Sequence, residues 1–200
     1  MNHEDRDRTH DRLPPGQTPI KKLPRWRIDH PGITGSNPKI DLKTYILTID
    51  GEVEKPLRLN WNEIARLPKV ESVSDFHCVE GWSVLDCKWE GIRFTEIASL
   101  VKPEKDAKFV TFECADGYTT SLSLPELFGE DVLLAYGLEG KPLEIGYGFP
   151  LRLVLPNKYA YKSALWVTRI RFTLKKEVGF WEKRGYSDTA DVWTNDRCSR

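Results

Sequence analysis

The 200-residue sequence lacks any excess of charge of one sign: thirty Lys and Arg balance thirty Asp and Glu. No long basic run stands out either, so a nucleic-acid footprint is not supported and any anion site must be local. An apolar stretch is missing from Met1 to Arg12, where Asp, Glu, Arg and His dominate. No signal-peptide core or membrane span is read there, and a cytoplasmic location is expected. The four cysteines, Cys78, Cys87, Cys114 and Cys198, lack Cys-x-x-Cys spacing. That argues against a zinc ribbon or a disulfide scaffold, and the four are read as reduced thiols. A haem-attachment Cys-x-x-Cys-His is likewise missing. Without a Gly-x-Gly-x-x-Gly fingerprint or a P-loop, dinucleotide and nucleoside-triphosphate enzymes are disfavoured.

What is present suits one domain with a sizeable core: the chain is 40% hydrophobic and has seven Trp. Residues 1–24, with Pro14, Pro15, Pro19 and Pro24 among charges, read as a flexible or draped arm, with a solvated tail favoured. Residues 25–188 read as the domain and 189–200 as a frayed tail containing Cys198. Thr44 to Asp50 alternates with Tyr45, Leu47 and Ile49 on one face, and Asp50-Gly51 turns it into a second strand at Leu57 to Leu59. Asn60 to Glu63 matches a capped helix start. Phe94 to Val101 reads as a helix burying Ile97, Leu100 and Val101, ended by Pro103. Lys108 to Cys114 and Tyr118 to Leu122 form strands joined at Asp116-Gly117. Ser123 to Glu126 opens a short helix, and Val132 to Tyr136 is another strand. Ala164 to Leu174 reads as a long strand, with Trp166, Ile170, Phe172 and Leu174 on its apolar face and Leu165 beside Arg169 and Arg171. Strands and helices alternate without a βαβ spacing, so the expected class is α+β, with a mixed sheet or curled barrel.

Two stretches carry candidate chemistry. Val70 to His77 alternates as a strand that delivers Cys78 to a turn at Gly81, a residue free to take backbone angles others avoid. A thiol becomes a ligand or nucleophile once deprotonated. His77 points to the opposite strand face from Cys78, which argues against a dyad, and by residue type alone a buried small hydrophobe is the commoner role. In the second stretch, Gly146 and Gly148 allow close backbone approach. Arg152 then follows among Leu151, Leu153, Val154 and Leu155, where a charge needs a partner. That partner is either a carboxylate or a phosphate gripped by the guanidinium fork. Lys158, Tyr159, Lys162 and Ser163 add two charges and two hydroxyls.

The segment from Asp75 through Trp82-Ser83 to Trp89-Glu90-Gly91 resembles the cysteine segment of the sulfite oxidase-like, molybdopterin-binding oxidoreductases. Four further blocks match in the same order: Asp116 to Thr120, Gly148 to Pro156, Tyr161-Lys162-Ser163, and Phe180 to Tyr186. The resemblance implies the sulfite oxidase-type fold, a molybdopterin cofactor with molybdenum, and Cys78 as metal ligand and catalytic residue. It also implies oxygen-atom transfer on a small-molecule substrate, with electrons exchanged with a separate partner. It makes His30 and Cys114 cofactor contacts and assigns Lys158 to Ser163 to a phosphate-anchoring loop, with Arg152 close by. Arg184 is a candidate for a substrate anion. Two positions depart from the family pattern: Tyr147 stands where a histidine is usual, and Leu165 where a lysine is usual. Tyr147 still donates one hydrogen bond, but Leu165 donates none and removes a positive charge. These departures keep open a molybdopterin-fold binding or assembly protein with weakened catalysis.

Overall fold

Strand periodicity organises the chain into two mixed sheets, described in the computed structural model for residues 12–30 and 37–199. In chain order the strands are β1 (Thr18–Pro19), β2 (Ile46–Gly51), β3 (Leu57–Asn60), β4 (Val70–His77), β5 (Trp82–Arg93), β6 (Phe109–Cys114), β7 (Thr119–Ser123), β8 (Leu133–Leu138), β9 (Lys141–Pro142), β10 (Arg152–Val154) and β11 (Val167–Thr173). The α-helices are α1 (Trp61–Ile64) and α2 (Phe94–Val101), and 3-10 turns fill several connections. One sheet runs β3-β2-β11-β6-β7. The other runs β1-β5-β8-β10, with β4 paired to β5 and β9 to β8. The β1–β5 and β11–β2 pairs are parallel and the rest antiparallel, which gives the α+β class with mixed sheets.

The larger core lies on the five-stranded sheet, where alternate residues Tyr45, Leu47 and Ile49 are buried with Val110, Phe112, Ile170 and Phe172. Helix α2 closes this core through Phe94, Ile97, Ala98 and Val101, a stripe at helical spacing. Leu100 falls off that stripe and is exposed, contrary to expectation. The helix ends at Lys102 in left-handed backbone, just before Pro103. Asn60 and Glu63 form the expected reciprocal cap on α1.

The six-stranded sheet carries the second core, around Phe76, Cys78, Trp89 and Tyr147, and sequence reasoning missed its longest strand. Strand β5 takes in Cys87, whose thiol is buried in this core. Asp86 adopts φ +54 inside this strand and breaks its alternation, which hid the pattern. The expected strand at Ala164 also starts later. Trp166 takes φ +63 and the register slips between Val167 and Arg169, so Val167 joins the core, Leu174 is exposed, and Leu165 leaves the face of Arg169 and Arg171.

Both ends of the described chain are docked. Residues 1–11, the start of the expected arm, and 31–36 of the irregular segment lie outside the described residues. Residues 12–24 are draped rather than solvated: β1 pairs with Trp82 and Ser83, Leu23 is buried, and Arg12 bridges Asp75 and Asp86. The frayed tail is also corrected, because Ala190 and Val192 are fully buried against Tyr159 and Tyr161. Cys198, in an exposed position, bridges to Tyr186 through the backbone.

Candidate functional site

Cys78 sits where β4 ends and the chain reverses into β5. Its N–H donates to the Trp82 carbonyl (2.8 Å) and its carbonyl accepts from Gly81 N–H (3.0 Å), closing a turn in which Gly81 takes φ +98. The side chain is buried, and that burial pushes the thiol up to about 12. Left alone this thiol stays protonated at neutral pH, and a coordinated metal would hold it as the thiolate. His77 faces away, with Nδ1 2.7 Å from Ser83 Oγ, and burial lowers its pKa.

Among the described residues, Glu80, two residues on, brings a carboxylate to Cys78. Its Oε2 lies 3.9 Å from Cys78 Sγ, 2.9 Å from His30 Nε2, and accepts from Trp82 Nε1 at 3.1 Å. Burial raises the Glu80 pKa, but the hydrogen bonds from His30 and Trp82 outweigh it and the net shift is downward. His30 is held edge-on against Trp26, with ring centroids 3.9 Å apart. The sequence reading named His30 and missed Glu80, although Glu80 lay inside the quoted cysteine segment.

Arg152 lines a cleft together with Trp82, Trp26 and Phe76. It is only 2% exposed, and no carboxylate among the described residues pairs with it. Its donors reach the carbonyls of Tyr147 (3.1 Å), Ser163 (3.4 Å) and Leu153 (3.4 Å), and its guanidinium lies over the rings of Phe76 and Trp89. Burial drops its pKa to about 9. Arg152 is thus a buried cation held by dipoles and ring faces.

The remaining candidates divide. Tyr147 and Ser163 gather at Arg152 through their carbonyls, while Ser163 Oγ accepts from Leu155 N–H at 3.1 Å. The two lysines are each held by a carboxylate. Lys158 pairs with Glu126 at 2.6 Å, and the fully buried Lys162 pairs with Glu182 and donates to the Ser121 carbonyl at 3.3 Å. Tyr159 donates to Asn195 Oδ1 at 2.9 Å. Cys114 lies in the larger core, apart from the Cys78 cluster, and burial pushes its thiol well upward. Arg184 is exposed and stacks on Phe180, 3.6 Å from the ring, and it is not among the residues that line the cleft with Arg152. Arg169 and Arg171, on the other sheet, are engaged by Asp50, Glu113 and, from the loop after β11, Glu177.

Residues 34–181 match the family model of the oxidoreductase molybdopterin binding domain. The chain belongs to this molybdopterin-binding oxidoreductase family. It is 38% identical over 187 residues to the uncharacterized oxidoreductase YuiH of Bacillus subtilis, covering 93% of this chain and 91% of that one. It is 34% identical to the putative protein-methionine-sulfoxide reductase subunit YedZ1 of Azospira oryzae, over 74% of this chain and 56% of that protein. The catalytic subunit MsrP of a protein-methionine-sulfoxide reductase from Campylobacter jejuni is 33% identical over 71% of this chain and 53% of its own length. The chain thus spans about half the length of these last two relatives. Among solved structures, the sulfane dehydrogenase SoxCD from Paracoccus pantotrophus superposes with a TM-score of 0.66 at 21% identity. That match covers 78% of this chain and 46% of that one, and it shows the sulfite oxidase-type fold.

Family and fold give the chain a molybdenum–molybdopterin cofactor, and two features of the structure fit one. Arg152, a buried cation with no carboxylate partner among the described residues, lines the cleft. Trp82 lines this cleft and also holds Glu80 beside Cys78, so it joins the thiol cluster to the cleft that Arg152 lines.

Proposed function

We propose that the chain catalyses oxygen-atom transfer on a small substrate, with Cys78 as the protein ligand to molybdenum. The observation that carries this reading is the cluster of Cys78, Glu80, His30 and Trp82 next to a cleft walled by Arg152. When bound, the pterin's dithiolene sulfurs hold the metal, which supplies the redox chemistry. Among the described residues no group of three or more His, Cys, Asp and Glu converges as an all-protein metal site, so Cys78 acts with donors from the pterin. Arg152 meets the anionic part of the cofactor, where a phosphate would give it the counter-charge it lacks. Glu80, beside Cys78, handles the proton that accompanies turnover, and His30 and Trp82 fix its carboxylate. Electrons pass to or from a separate carrier. We also propose a cytoplasmic location; among the described residues, no helix is long and apolar enough to cross a membrane.

The direct test is metal and pterin analysis of protein from a molybdate-supplied host, in parent, Cys78→Ser and Glu80→Gln forms. The parent should carry near-stoichiometric molybdenum with pterin, and Cys78→Ser should lose most of the metal. Glu80→Gln should keep both while turnover of a sulfoxide or oxyanion substrate falls about 100-fold or more. Full metal content in Cys78→Ser would sink the ligand assignment.

A second reading, a binding or assembly protein with weakened catalysis, draws on the lysine loop. Glu126 and Glu182 neutralise Lys158 and Lys162, and Leu165 adds no charge, so Arg152 faces the anion with less help than the loop's composition suggested. Cofactor retained without turnover of any substrate or artificial donor would favour this reading.

A further inference from the structure

Both ends of the described chain grip the turn that carries Cys78. Near the carboxyl end, Arg197 donates through Nη1 to the Val79 carbonyl (2.8 Å), through Nη2 to the Gly16 carbonyl (3.0 Å) and through Nε to Asn195 Oδ1 (2.7 Å). Near the amino end, Gln17 Nε2 donates to the Cys78 carbonyl (3.1 Å), and its Oε1 accepts from Ser83 Oγ (2.9 Å). Thr18 N–H donates to the Gly81 carbonyl at 2.8 Å. The carbonyls of Cys78, Val79 and Gly81 therefore each accept a hydrogen bond from a terminal segment.

The packing of this clasp is close. A Cβ on Gly16 would come within 2.9 Å of Arg197 Nη2, and one on Gly81 within 3.2 Å of the Gly16 carbonyl oxygen. Gln17 is buried, as is Ser83, so their mutual hydrogen bond is shielded from water. All three gripping residues lie outside residues 34–181, the part matched by the family model.

A four-residue turn closed by its own hydrogen bonds leaves the direction of a ligand side chain soft, especially with a glycine in left-handed backbone. Metal ligands need their geometry held to within about 0.5 Å by surrounding hydrogen bonds. The planar guanidinium fork suits that task, because one side chain fixes three acceptors in a set arrangement. We infer that Arg197 and Gln17 are positioning residues, clamping the Cys78–Val79 backbone and so fixing the direction from which Cys78 Sγ is presented to the metal. This rests on the assignment of Cys78 as the ligand.

The test uses the full-length cofactor-loaded protein in parent, Arg197→Gln, Arg197→Lys and Gln17→Ala forms. Two readouts are followed: hydrogen–deuterium exchange of peptides covering residues 76–84, and the electron paramagnetic resonance spectrum of the one-electron-reduced metal. Exchange at the turn should speed up about tenfold or more in Arg197→Gln and Gln17→Ala, as expected for loss of one hydrogen bond to a structured backbone. The spectrum should shift or split, with Arg197→Lys intermediate because one ammonium cannot serve three acceptors. Unchanged exchange and spectrum in either folded variant would overturn the proposal. Faster exchange with an unchanged spectrum would overturn it too, since the clasp would then hold only the fold. Metal content of Cys78→Ser separates the two ideas: retention there removes the ligand assignment itself, whatever the clasp variants do.

Discussion

Arg152 is buried with carbonyl dipoles and two aromatic faces as its company, and its pKa falls to about 9 through burial. The sign of its effect on folding follows. Because the folded pKa is depressed, the unfolded chain holds this proton more tightly, so the group weakens the fold at neutral pH and the penalty fades only above about pH 9. In the proposed function, this side chain, which costs stability and has no carboxylate partner among the described residues, meets the cofactor's anionic part. Arg152→Met, apolar and similar in length, should then melt no lower than parent in the cofactor-free full chain. The same variant should hold about a tenth or less of the parent's pterin when expressed in a cofactor-making host. Calorimetry and pterin fluorescence read these two quantities separately. A melting point several degrees lower, with full pterin content, would show that Arg152 serves the fold instead.

The short 3-10 turn at Leu124–Phe128 shows how an element near the lysine loop takes over one of its charges. Ser123 and Glu126 cap it reciprocally, and Glu126 also pairs with Lys158. Burial raises the Glu126 pKa, but Lys158 and Ser123 pull it further down, so it ends below its ordinary 4.5. The unfolded chain therefore takes up this proton first as acid is added, and the stability that Glu126 contributes above its ordinary pKa is lost as pH falls through the lower folded value. Glu126→Gln should lower the melting temperature at pH 7 by a few degrees, at about 2–4 °C per kcal/mol for a chain of this size. It should also flatten the parent's decline between about pH 5 and 3, and parallel melting curves for the two proteins would refute the coupling. The cap itself was legible in the sequence, since Ser123 to Glu126 spells the motif. Its pairing with Lys158 was not, because the two residues are 32 positions apart and nothing local links them. The same limit applied to Lys162 and Glu182, whose pairing converts an expected anion contact into a buried ion pair. Strand β5 was hidden for a different reason: Asp86 in left-handed backbone interrupts the period that sequence reading depends on.

Across the whole molecule, local signals placed Cys78 at its turn and Arg152 at its strand, but the covering of the site comes from segments whose composition reads as tail. Polar, proline-rich or charged stretches bury little per residue, so periodicity cannot show that they dock. Their contribution is concentrated in a few apolar anchors, Leu23 at one end and Ala190 and Val192 at the other, together with the hydrogen bonds around Gln17 and Arg197. Val192 gives a clean test of the carboxyl-terminal docking. It is fully buried against Tyr159 and Tyr161, whereas Val178, in the loop after β11, is 57% exposed. Val192→Ala deletes two buried methyl groups and should cost about 2 kcal/mol, or roughly 4–8 °C in melting temperature. Val178→Ala removes the same atoms from an exposed site and should stay within about 0.5 kcal/mol of parent. Thermal unfolding of the two variants side by side decides the matter. A frayed tail would make both silent, while a docked one separates them and loosens the anchor that lets Arg197 reach the Val79 carbonyl.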